Sequence, residues 1–213
     1  MAIAPAVDKW LHDSGYEYHC FISWAHTINR EMAVCARAVK TAVEQELALS
    51  IQAPRVFLDE AAIPAGAEWP VHLQQALCRS LALVAICAPI YYHPIHRWCG
   101  LEWSAMDALS GQRLPGHSFK AIVPLLFRRS DPLPQAVDGL QYIDLSRQQI
   151  RGRRFYATQE FRIAVNKIVE RIEAVANAVF GLKVLPNCDG FIFPADSAFA
   201  DYEAKPLPLP SRV

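Results

Sequence analysis

The sequence predicts an α/β fold, an open parallel sheet of five strands with helices on both faces. Short apolar runs rich in β-formers alternate with helical-period segments across residues 16–181. One run, Leu81 to Ala88, is apolar without interruption, which suits a central parallel strand buried on both sides. A late segment steps apolar residues by four and three, as a helix laid on a sheet does.

Residues 1–15 read as a leader containing Pro5 and the turn Asp13-Ser14-Gly15. Tyr18 to Ser23 is the first strand. From about Asn29 to Leu49, Met32, Cys35, Val39, Ala42, Val43 and Leu47 recur at helical spacing, and Pro54 blocks continuation. Arg55–Leu58 is the second strand, followed by a loop from Asp59 to Gly66 carrying Pro64. Pro70 suits the first position of a helix that runs to Arg79. Leu81–Ala88 is the third strand, and a helix from about Ile95 to Leu109 ends before Gly111. Ala121–Phe127 and Gln141–Leu145 complete the sheet.

Phe161, Val165, Ile168, Ile172, Val175 and Val179 line one face of the last helix, with Gly181 placed as its stop. Residues 182–213 hold Pro186, Pro194, Pro206, Pro208 and Pro210 and no periodic run. They read as an extended proline-rich tail, packed in part through Phe191, Ile192 and Phe193.

Composition excludes more than it selects. The chain has 213 residues, 53% hydrophobic, which sets one domain with an appendage. Lys plus Arg balance Asp plus Glu at 21 each, so charge gives no case for nucleic acid or a membrane surface. The cluster Arg147, Arg151, Arg153, Arg154 reads as a solvated loop. No run approaches the roughly 20 apolar residues that span a bilayer. The six cysteines include no Cys-x-x-Cys pair, which leaves a zinc site unsupported. His93 and His96 lack an evident third metal ligand. The expectation is a cytoplasmic protein with reduced thiols and no metal.

Three segments carry the chemistry: Tyr18-His-Cys-Phe-Ile-Ser-Trp24, then Arg55-Val-Phe-Leu-Asp-Glu-Ala-Ala-Ile-Pro-Ala-Gly66 with Trp69, then Trp98-Cys-Gly-Leu-Glu-Trp103. In this order they resemble the boxes of a Toll/interleukin-1 receptor (TIR) domain, over roughly residues 16–180. Phe21, Ile22 and Ser23 match the first box, and His19 stands where an acidic residue is usual. The resemblance implies a flavodoxin-like sheet and, in the NAD-cleaving bacterial type, a catalytic glutamate at Glu102.

On a helix Trp98 and Glu102 are four residues apart and share a face. An aromatic plane suits a cationic pyridinium, and a carboxylate suits ribose hydroxyls and developing positive charge. Ser23 and Trp24 end the first strand, Asp59 ends the second, and Trp69 faces either substrate or sheet. With Trp98 these are the expected substrate contacts. Trp98 is equally readable as core, whereas Trp103 and Phe21 read as core. Adjacent Asp59 and Glu60 point apart on a strand end, which excludes a paired-carboxylate site.

The resemblance implies NAD+ as substrate rather than a resident cofactor. It further implies a nucleosidase or ADP-ribosyl cyclase switched on by self-association into a homo-oligomer or filament. Ile63, Pro64 and Gly66 would form the assembly loop. A separate effector or trigger protein and a role in antiphage defence signalling follow from the same resemblance. The competing readings are a non-catalytic TIR–TIR adaptor and another N-glycosidic enzyme, such as a nucleoside deoxyribosyltransferase.

Overall fold

A computed structural model describes residues 3–26, 30–59, 69–148 and 155–202. Strands β1 (Tyr18–Trp24), β2 (Val56–Leu58), β3 (Ser80–Cys87), β4 (Ile122–Leu126) and β5 (Ile143–Asp144) form one sheet in the order β2-β1-β3-β4-β5. Every pairing is parallel. All eight residues of β3 are buried, as its unbroken apolar run requires.

Helices α2 (Arg30–Leu47), α3 (Trp69–Cys78), α4 (Arg97–Arg113), α5 (Gln135–Asp138) and α6 (Gln159–Leu182) alternate with or follow the strands. The chain steps one way from β1 to β2 and the other way from β2 through β5. Right-handed crossovers therefore place α2 on one face and α3 and α4 on the other. The packing agrees, since α2 lies against α6 and α3 against α4. The sheet order reverses between β1 and β3, which opens a crevice at their carboxyl ends.

Several sequence expectations need correction. The segment read as a leader contains a helix, α1 (Pro5–Asp13), with Pro5 in its first turn. Val7 and Leu11 are buried, and Trp10 meets Phe180 of α6 edge-on at 5.5 Å. Too few apolar residues recur over this short helix to declare it. The fourth helix does not stop before Gly111 but runs to Arg113, whose buried guanidinium donates to the carbonyls of Ser80 and Cys78 and lies over the Tyr16 ring. That anchor outweighs the roughly 1 kcal/mol cost of an internal glycine.

Gly181 lies inside α6, and Lys183 takes the left-handed cap position at φ 55° with its ammonium over Phe180 and Trp10. Finally, not all thiols are reduced. Cys78 and Cys188 form a disulfide, with Cα atoms 5.8 Å apart.

The tail is the least expected part. It forms no regular element over residues 183–202, yet it is tied down along its length. After Cys188 it crosses the start of α4, where Arg97 donates to the Ala195 carbonyl at 3.1 Å and Ala198 N–H donates to the Gly100 carbonyl at 3.3 Å. Phe199, not Ile192, is its deep anchor: Phe199 is buried while Ile192 stands exposed. This strap explains why Cys99, Gly100, Leu101, Glu102 and Trp103 are all buried in succession. A helix covered only by a sheet would expose part of each turn.

Candidate active site

The crevice at the end of β1 is built from neighbours in the sheet. β1 runs beside β3, with Ser23 opposite Ala85 and Trp24 opposite Ile86. Beyond β3 the chain makes two short 3-10 turns, Pro89–Tyr92 and Pro94–His96, and enters α4. Pro89 opens the first turn, and Tyr91 N–H closes it on the Ala88 carbonyl at 2.8 Å. These turns bring Tyr91 and Glu102 over the end of β1.

Glu102 is 5% exposed, and its Oε2 accepts a hydrogen bond from the Ser23 hydroxyl. Ser23 Oγ in turn lies 2.7 Å from the Tyr91 hydroxyl. Burial pushes the Glu102 carboxyl up to about 8, opposed by the Ser23 bond and aided by the negative charge of Asp59. Asp59 is buried at the end of β2, with its Oδ2 3.7 Å from His26 Nε2. Trp24 is buried and stacks on His26 at 4.2 Å between ring centroids. Its indole N–H is buried and has no hydrogen-bond partner among the described residues.

The structure thus gathers Ser23, Trp24, Asp59 and Glu102 at the sheet's reversal point. Trp98 is placed differently. Its ring meets Phe193 of the strap edge-on at 5.8 Å, and 37% of the residue is exposed. Trp69 opens α3, with its side chain outside the description, and Ile63, Pro64 and Gly66 lie outside the described residues. Phe21 stacks on Phe57 in the core and Trp103 is buried, as the sequence suggested. A cleft of about 310 Å³ lies between the strap and the turns, lined by His93, His96, Arg97, Asp196 and Phe199, and Glu102 does not border it.

Sequence reasoning missed Tyr91. The signal was there in Ala88-Pro89-Ile90-Tyr91-Tyr92, aromatic residues set just past a strand that ends at the crevice. It also left His19 without a role. His19 is held between α1 and the start of β2: Asp8 Oδ1 lies 3.1 Å from His19 Nε2, while His19 Nδ1 accepts from Arg55 N–H.

An open parallel α/β domain with a buried carboxylate at its reversal point defines a ligand-site class shared by many folds. Comparison with known families assigns residues 20–158 to the TIR domain, and the chain belongs to that family. Members act in signalling, through association of TIR domains, or as NAD-cleaving enzymes. Searches of curated proteins and of solved structures returned no match.

Proposed function

We propose that this chain cleaves the nicotinamide–ribose bond of NAD+, as a TIR nucleosidase or ADP-ribosyl cyclase, with Glu102 as its catalytic carboxylate. One observation carries the proposal: a glutamate buried at the sheet's reversal point and held by a serine hydroxyl. A carboxylate with only a structural role is ordinarily paired with a cation, because burying an unpaired charge is costly. Glu102 instead faces Ser23 and another acid, Asp59.

The nicotinamide leaves as a neutral ring from a pyridinium, so no general acid is needed to expel it. The ribose carbon gains oxocarbenium character as the bond stretches. The ionised fraction of Glu102, which grows as pH rises toward about 8, stabilises that charge and accepts from the ribose hydroxyls. Water attack yields ADP-ribose, nicotinamide and a proton. Attack by an adenine nitrogen of the same molecule yields a cyclic isomer. Trp24 offers its unmet indole N–H to a substrate acceptor, and Asp59 and Trp69 remain candidate substrate contacts. Assembly of TIR domains supplies the switch, and the nucleotide product supplies a signal to a separate effector, as in antiphage defence.

The test is incubation of concentrated protein with NAD+, with products resolved by chromatography and mass spectrometry. Nicotinamide release should rise faster than linearly with protein concentration and fall at least about 100-fold in Glu102→Gln, whose melting temperature stays at or above that of the wild type. Equal turnover in wild type and variant would overturn the proposal. So would no release from protein shown by light scattering to be assembled.

A further inference from the structure

We infer that Tyr91 is a positioning residue for Glu102, its hydroxyl holding Ser23 so that the serine proton points at the carboxylate. Three elements contribute one group each: the turn after β3 gives Tyr91, β1 gives Ser23 and α4 gives Glu102. All three side chains are buried.

The direction of the chain follows from counting protons. A serine hydroxyl has one proton and accepts at its oxygen. With Glu102 ionised, Ser23 donates to Oε2 and Tyr91 donates to Ser23 Oγ, so each proton has an acceptor. With Glu102 protonated on Oε1, Oε2 still accepts from Ser23, but as a neutral oxygen and more weakly; protonated on Oε2, the carboxyl must donate to Ser23, Ser23 must turn to Tyr91, and the Tyr91 proton loses its acceptor. Tyr91 stays a donor throughout, because burial holds its phenol well above the usual range. The tyrosine therefore favours the ionised carboxylate against the burial that opposes it. Removing its hydroxyl leaves Ser23 free to rotate away.

Other charges around the carboxyl act separately. Asp59, from the end of β2, opposes ionisation of Glu102. His26 Nε2 lies 3.7 Å from Asp59 Oδ2, and His96 of the second turn lies near His26 and His93. Cys99 of α4 and Cys87 of β3 flank Tyr91, and burial keeps both as neutral thiols. Phe199 of the strap packs on the Tyr91 ring at 5.8 Å and fixes it without polar contact.

The significance for catalysis rests on the NAD+ cleavage proposed above, whereas the donor chain is testable without turnover. Carbon-13 side-chain NMR of glutamate-labelled protein, assigned by Glu102→Gln, gives the Glu102 titration midpoint in wild type, Tyr91→Phe, Ser23→Ala and the double variant. We expect Tyr91→Phe to raise the midpoint by about 1 pH unit, the scale of one hydrogen bond to a charged group. Ser23→Ala should raise it at least as far, and the double variant no further than Ser23→Ala alone. The pH at half-maximal nicotinamide release should move with the midpoint.

An unmoved midpoint in folded Tyr91→Phe overturns the inference, as does a shift that persists at full size in the Ser23→Ala background. A shifted midpoint in a protein that releases no nicotinamide supports the donor chain while the enzymatic proposal falls. Release with an unmoved midpoint does the reverse.

Discussion

At the scale of single residues, Glu102 and His19 are two buried titratable groups that pull stability in opposite directions with pH. The folded-state pKa of Glu102 is raised to about 8 by burial. Its contribution is complete below the unfolded glutamate value and fades as pH rises through about 8. Glu102→Gln should therefore melt at least about 2–4 °C above wild type at pH 9 and lose that advantage at pH 5, by calorimetry. His19 is the reverse case, its pKa lowered chiefly by burial. It accepts from Arg55 N–H at one nitrogen, so it must stay neutral there. Its contribution is complete above about 6.5 and is lost as pH falls below that value. Urea midpoints should drop below pH 6.5 in wild type, and His19→Gln should flatten that acid limb while lowering stability at pH 7. Glu102 and Ser23 were legible because each stands inside a recognisable box. Tyr91 was not, because its role appears only when turns, β1 and α4 are folded together. His19 was unexplained for a similar reason: its partner lies on a helix too weakly patterned to read.

At the scale of elements, the strands were legible and the closing contacts were not. β1 and β3 stood out because a fully buried strand writes an unbroken apolar run. β5 shrank to Ile143–Asp144 from the five residues expected, since an edge strand has a partner on one side only. The extension of α4 depends on Arg113 finding carbonyls from α3 and β3, information that periodicity does not contain. Gly100 shows the same limit. A Cβ added there would meet Ser197 Oγ at 1.7 Å and Ser197 Cβ at 2.9 Å. Neither atom sits within the helix, so nothing local demands glycine. Gly100→Ala should lift the strap, costing about 1–3 kcal/mol and speeding amide exchange over residues 193–202 while α6 stays protected. Unchanged exchange in the strap would show that α4 and the tail do not meet at this glycine.

At the scale of the whole molecule, the parallel sheet covered on both faces was readable from the alternation of elements, while the route of the last described residues was not. A proline-rich tail without periodicity looks dispensable on composition, yet Phe199 is buried among Tyr91, Tyr92 and Trp103. The disulfide was missed because spacing alone does not pair cysteines 110 positions apart. Cys188→Ser should lower stability by about 2–4 kcal/mol in chemical denaturation, and a reducing agent should lower the wild type to the level of the variant and leave the variant unchanged. Equal midpoints for wild type with and without reductant would argue against a bond that matters to folding.

The Cys78–Cys188 bond also changes what a broken backbone means. It closes a covalent ring through β3, α4, β4, α5, β5 and α6. One peptide cleavage anywhere between those cysteines yields two pieces that still migrate as a single species. They part only when a thiol is added, so a nicked protein would pass as intact on a non-reducing gel.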